Sequence, residues 1–165
     1  MNDSVKVLII DDHPLVRDGC QRIFDRRRDI EVAQAGSAQT GLALNTTFDP
    51  DVIVLDIGLP DASGFDIIPK LIGDNAKAKI VVFSMHGAQS FVTNAFEKGA
   101  VGYITKNDDP NTILAAVDKV RAGEFYLGQT VARNLAVANQ PPEPTARSKH
   151  ERTRDVHAER RRKLR

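Results

Sequence analysis

The chain has 165 residues, 41% hydrophobic and 27% charged, with a formal net charge of +1, a balance that fits one globular domain able to bury most of its apolar surface. Its only cysteine, Cys20, excludes a disulfide framework and any multi-cysteine metal site, fits a reducing compartment, and is read as a buried spacer. The apolar run near the N-terminus is too short for a signal-peptide core, and no stretch approaches the ~18 apolar residues of a bilayer span, so a cytoplasmic location away from membranes is expected.

In chain order, residues 6–10 (Lys-Val-Leu-Ile-Ile) read as a buried strand that runs into Asp11 and Asp12. His13-Pro14 then opens a helix, since proline suits a first helical turn, and Leu15, Cys20, Ile23 and Phe24 are expected on its apolar face. A second strand fits at residues 30–33 and a second helix at 38–44. Residues 52–55 (Val-Ile-Val-Leu) form the third strand and end on Asp56. Helical spacing returns at 65–72, a strand at 79–83 ends on Ser84, and a helix follows at 91–96. Residues 101–104 run into Thr105-Lys106, and the fifth helix covers 113–120. Gly99 and Gly123 stand where helices four and five should end on left-handed caps. A short sixth helix fits at 129–138.

Five strands alternating with five helices predict an α/β fold. Its expected form is a doubly wound five-stranded parallel sheet in the order 2-1-3-4-5, with right-handed crossovers. Charge divides the chain differently. Residues 140–165 carry nine basic and four acidic side chains, a balance of +5, which leaves −4 for residues 1–139. The Pro141-Pro142-Glu143-Pro144 stretch disfavours helix, and the few apolar residues after it cannot offset the entropy of ordering the segment. The expected organisation is a domain over 1–125, a short helix or linker over 126–139, and a disordered basic tail over 140–165.

In a sheet of that order, strands one and three are neighbours, and Asp11, Asp12 and Asp56 converge at the edge where open α/β sheets bind ligands. Two like unit charges ~4 Å apart repel by ~4 kcal/mol at an effective dielectric of ~20, so this cluster calls for positive charge. Mg²⁺ answers it, because it takes one or two carboxylates, keeps waters and completes its octahedron with phosphate oxygens. Lys106 supplies a second positive charge and Ser84 a hydroxyl donor, each from the end of its own strand. The set describes phosphoryl transfer onto an aspartate.

These residues resemble the receiver domain of two-component response regulators over roughly residues 4–123. The resemblance implies a flavodoxin-like fold with Asp56 as phosphoacceptor and Asp11 and Asp12 as the acid pair. It also implies Mg²⁺ held by Asp12 and Asp56 with the carbonyl of Gly58, Ser84 and Tyr103 as switch residues, and Lys106 as the essential lysine. Pro60 and Gly64 match the loop pattern of the family. The segments 83–86 and 99–106 are similar to the subfamily that carries a LuxR-type helix-turn-helix. A partner histidine kinase or phosphotransfer protein is implied, with possible homodimerisation on phosphorylation. So is a chain that catalyses only its own phosphoryl transfer and dephosphorylation, with transcription as the output of the parent protein. On phosphorylation Ser84 is expected to move to the new group and Tyr103 to turn into the space it leaves. The chain departs from the family at Asn107, where many members carry a cis proline. A cis bond before a non-proline residue costs ~2.5–4 kcal/mol, which argues against one here.

Three other readings bear on the chain. A nucleotide-binding flavodoxin or Rossmann domain needs a glycine-rich phosphate loop after the first strand, whereas Asp11-Asp12-His13-Pro14 is acidic and would repel a pyrophosphate. A haloacid-dehalogenase-type aspartyl phosphatase also attacks with a strand-end Asp, but it needs a second Asp two residues later, where this chain has Gly58. A DNA-binding protein acting through Arg160-Arg161-Arg162-Lys163 would bind phosphates without sequence preference. The tail also resembles, when back-translated and read one base later with an AGR codon at Arg152, the opening of a LuxR-type DNA-binding domain. The expectation is a frameshifted or truncated transcription regulator.

Overall fold

Residues 4–139 are described by the computed structural model. The tail expectations for residues 140–165, disorder and a displaced DNA-binding frame alike, lie outside the described residues.

The apolar runs form the strands β1 (Val5–Ile10), β2 (Ile30–Ala35), β3 (Val52–Leu55), β4 (Lys79–Ser84) and β5 (Gly102–Thr105). They alternate with α1 (Pro14–Phe24), α2 (Ala38–Thr47), α3 (Gly64–Asp74), α4 (Gln89–Lys98) and α5 (Thr112–Arg121), followed by β6 (Tyr126–Leu127) and α6 (Gln129–Asn139). The sheet is parallel throughout in the order β2-β1-β3-β4-β5-β6. The predicted order is correct for five strands, and the predicted count is one short. Two residues are too few to show a period, and β6 exists because the Tyr126 and Gly128 N–H groups donate to Val101 and Tyr103 carbonyls at 3.0 and 2.8 Å.

Alternation along each strand divides the core into two layers. Leu8, Ile10, Ile53, Leu55, Ile80 and Val82 pack with Ile67, Ile68 and Leu71 of α3 and Val92 and Ala95 of α4. Val7, Ile9, Val52, Val54, Val81 and Ile104 face the other way, onto Cys20, Ile23 and Phe24 of α1 and Ile113, Val117 and Val120 of α5. Burial pushes the Cys20 thiol up to about 11, which keeps it protonated and consistent with a packing role.

One predicted core residue is misplaced. Leu15 is 86% exposed, because an offset of five residues lies ~140° around a helix from Cys20. Val16, four residues before Cys20, takes the inward position and packs against that layer.

Both predicted glycine caps are left-handed, with φ of 118° at Gly99 and 86° at Gly123. Gly64 matters for a different reason. A Cβ there would lie 2.4 Å from Ile57 Cα and 2.8 Å from the Asp56 carbonyl oxygen, so α3 can start against the loop that follows β3 only without a side chain. Gly64→Ala is expected to destabilise the fold by ~1–3 kcal/mol, since backbone must shift to admit a methyl group. An unchanged urea midpoint would show that the loop yields freely.

Candidate functional site

The ladder continues one residue beyond the strands. Asp11 N–H donates to the Ala35 carbonyl at 3.0 Å, Asp56 N–H to that of Ile10 at 2.9 Å and Lys106 N–H to that of Ser84 at 2.8 Å. Main-chain bonding therefore fixes two acids and the lysine at the carboxyl edge of the sheet.

Asp11, Asp12, Asp56 and Lys106 come together as predicted. Lys106 Nζ lies 2.8 Å from Asp11 Oδ2 and 3.2 Å from Asp56 Oδ2. The lysine is well covered, its side chain being 9% exposed. Burial opposes its charge, but the hydrogen bond to Asp11 and the charge of Asp56 outweigh burial and hold its pKa above the ordinary lysine value. It is a permanent cation at neutral pH. Gly58, in the loop after β3, donates its N–H to Asp56 Oδ1 at 3.2 Å and orients that carboxylate.

His13 is a member of the cluster that sequence reasoning treated only as the start of a helix. Its Nδ1 stands 2.9 Å from Asp11 Oδ1, 3.1 Å from Asp12 Oδ1 and 3.8 Å from Asp56 Oδ2. The signal was present in the order of the residues, since an imidazole directly after an acid pair lies within reach of it. Asp11 also plays the turn role that a strand-end Asp commonly plays, accepting the His13 N–H at 2.8 Å. The turn and the charged cluster thus use the same carboxylate. Arg17, one turn along α1, was missed as well. Its Nη1 donates to the Asp11 carbonyl at 2.6 Å and its Nε to Gln34 at 3.3 Å, tying the loop to β2.

The fit to a hard divalent cation rests on atoms left without directed donors. Asp11 Oδ2 and Asp12 Oδ1 are buried and receive no well-directed hydrogen bond beyond their ion-pair contacts, with Lys106 Nζ at 2.8 Å from the first and His13 Nδ1 at 3.1 Å from the second. Donor atoms of Asp11, Asp12, His13 and Asp56 all lie within 4.8 Å of one another. Three carboxylates against one lysine leave excess negative charge, and their oxygens are the donor type that Mg²⁺ selects.

Ser84 and Tyr103 form a second group beside the first. Ser84 Oγ accepts the His86 N–H at 3.1 Å, and the Tyr103 hydroxyl donates to the His86 carbonyl. Both bond one residue of the β4–α4 loop, whose ring in turn stacks on Phe91 at 4.7 Å. Tyr103 is fully buried and is tied to this loop while Ser84 keeps its own bond there. No cis peptide bond occurs among the described residues, at Asn107 or elsewhere.

Residues 7–118 match the family profile of the response regulator receiver domain. The chain is 37% identical over 129 residues to the transcriptional regulatory protein MctR of Rhizobium johnstonii, an alignment covering 78% of this chain and 60% of that protein. It is 34% identical to the nitrate/nitrite response regulator NarL of Escherichia coli, over 82% of this chain and 63% of that one. The chain thus spans less than two thirds of the length of these relatives. A crystal structure of a LuxR-family two-component response regulator from Aurantimonas superposes with a TM-score of 0.77 at 31% identity, covering 82% of this chain and 98% of that one. The isolated receiver domain of RcsB from Salmonella enterica shares the fold, with a TM-score of 0.74 at 18% identity over 80% and 99% of the two chains.

Proposed function

The chain belongs to the response regulator receiver family, and on that premise we propose that Asp56 accepts a phosphoryl group from the phosphohistidine of a partner histidine kinase or phosphotransfer protein. The observation that carries this is the placement of Lys106 Nζ between Asp11 and Asp56, beside buried carboxylate oxygens that lack directed donors.

Asp56 attacks phosphorus as its P–N bond to the donor imidazole breaks, and the new bond is an acyl phosphate on the carboxylate. The Gly58 N–H holds the carboxylate through Oδ1. Lys106 is already within reach of the incoming equatorial oxygens and neutralises part of their charge without reorganising. Mg²⁺ held by Asp12, Asp56 and the Gly58 carbonyl, with Asp11 adjoining, would supply the remaining charge neutralisation. Hydrolysis of the acyl phosphate by the same site resets the domain. Beside the site, exposed Leu15 leads into a groove of roughly 410 Å³ lined by Ile23, Phe83, Lys106 and Pro110, which gives a donor protein an apolar contact next to the acceptor.

The phosphoryl group adds ~1.5–2 negative charges and three acceptor oxygens. Drawing Ser84 Oγ toward them releases the His86 N–H, and His86 is also the partner of Tyr103, so the β4–α4 loop loosens from the sheet. We take the output of the intact protein to be transcription, exerted in the cytoplasm through an altered surface around β4, α4 and β5, with dimerisation on phosphorylation.

The test is uptake of a phosphoryl group from acetyl phosphate, read by intact mass with and without Mg²⁺. Uptake of one group, dependent on Mg²⁺, is expected. Asp12→Ala should weaken Mg²⁺ binding by at least ~10–100-fold in titration calorimetry, since losing even an outer-shell partner of a metal ligand costs that much. Unchanged affinity would remove Asp12 from the metal shell.

A further inference from the structure

Lys106 is followed by Asn107 and not by a proline, so no ring fixes the backbone directly after the lysine. The loop is held instead by Asp108, a residue outside the acidic cluster and 8% exposed. Its Oδ2 accepts the Thr105 N–H at 3.0 Å and the Thr105 hydroxyl at 3.1 Å. Its Oδ1 accepts the Thr130 N–H at 3.0 Å and the Thr130 hydroxyl at 2.6 Å. Thr105 immediately precedes Lys106, and Thr130 lies in the first turn of α6. A single carboxylate therefore joins the backbone that presents the site lysine to the helix that follows the sheet.

The surroundings are built for this carboxylate. A Cβ at Gly128 would come within 2.5 Å of Asp108 Oδ2, so the chain enters α6 without a side chain where Asp108 sits. Burial opposes the Asp108 charge, but the bonds from Thr130 and Thr105 outweigh it and hold the carboxyl below its usual range. The ionised form is the one the site keeps. Among the described residues no cation pairs with it, and its charge is met by four neutral donors, two of them at a helix N-terminus, where negative charge is favoured. A second tie runs in parallel: Asn134 Nδ2 of α6 donates to the Gly87 carbonyl at 3.0 Å, in the loop that also carries His86.

We propose that Asp108 is a positioning residue for Lys106 and that it couples the phosphoacceptor site to α6 through Thr130. The inference rests on the assignment of Asp56 as acceptor and goes beyond it, naming the element that reads the site. A coupling of this kind is reciprocal. Displacing α6 loosens the backbone that carries Lys106, and a phosphoryl group that draws Lys106 toward itself strains the Thr105–Asp108–Thr130 connection and alters α6. The route to the rest of the protein then runs through α6 in addition to the β4–α4–β5 surface.

Thr130 is the place to test this, because it bonds Asp108 and neither Lys106 nor the acids of the phosphoacceptor site. Thr130→Val removes the hydroxyl bond to Asp108 and keeps the N–H bond; Thr130→Ser keeps both. The rate of acetyl-phosphate labelling and the amide hydrogen exchange of residues 130–135 are measured on the full chain, with Mg²⁺ affinity and the urea midpoint as controls. Thr130→Val should slow labelling on the order of tenfold, the effect of one charge-assisted hydrogen bond, and leave Mg²⁺ affinity unchanged. Exchange in α6 should respond to phosphorylation in the wild type and in Thr130→Ser, and not in Thr130→Val or Asp108→Ala. Wild-type labelling with an equal rate and an equal α6 response in Thr130→Val would overturn the coupling alone. No labelling of the wild type would overturn the acceptor assignment and this inference with it.

Discussion

Asp56→Asn is expected to abolish phosphoryl uptake while leaving the fold intact. An amide is a far weaker nucleophile than a carboxylate and a poorer ligand for a hard cation, so both attack and metal binding fail at once. The fold survives because the structural bonds of this residue do not need its charge. Its N–H donates to the Ile10 carbonyl through the main chain, and an amide oxygen can accept the Gly58 N–H as Oδ1 does now. Lys106 keeps its partner at Asp11 Oδ2, and one of three crowded negative charges is gone. The expected readout is no gain in mass with acetyl phosphate and an unchanged or raised urea midpoint. Undiminished labelling would place the acceptor elsewhere.

Lys106→Met should have the next largest effect, and it separates two roles of one charge. The methionine keeps the aliphatic stem and removes the ammonium group that lies between two buried carboxylates. Loss of a preorganised charge at the reacting phosphoryl group should slow labelling by ~10²–10³-fold, the scale of removing one electrostatic donor from an active site. Stability should fall as well, because breaking a buried pair by removing one partner leaves uncompensated charge, typically at a cost of ~3–5 kcal/mol. Added Mg²⁺ should recover part of that stability without recovering the rate. Wild-type labelling by Lys106→Met would show that the ammonium group only balances charge in the resting domain.

Much of this was legible from the chain alone. Four apolar runs each ending on a polar residue placed Asp11, Asp56, Ser84 and Lys106 at one sheet edge, and the structure has them there because parallel strands all point the same way, so residues at their carboxyl ends share one edge. What escaped was tertiary. Nothing local marks Tyr126–Leu127 as a strand, since its bonds come from β5. Leu15 looked apolar and inward, yet the helix turns it to solvent beside the site. His13 and Asp108 were both passed over. The first was read only as the start of a helix and the second carried no reading at all, yet each has a partner distant in sequence, Asp56 for His13 and Thr130 for Asp108. The inward position of Tyr103 likewise follows from the hydroxyl finding the His86 carbonyl, a contact that no strand periodicity encodes.

Comparison with known proteins supports the receiver assignment over residues 7–118. Among the described residues no helix is long and apolar enough to cross a membrane.

The most direct measurement is the position of the phosphoryl group itself. After incubation with acetyl phosphate and Mg²⁺, borohydride reduction converts an acyl phosphate into the corresponding alcohol, and tandem mass spectrometry of the digest locates the reduced residue. The account predicts one modified residue, Asp56, with no signal when Mg²⁺ is chelated. Reduction at Asp11 or Asp12, or no Mg²⁺-dependent reduction at any aspartate, would contradict it.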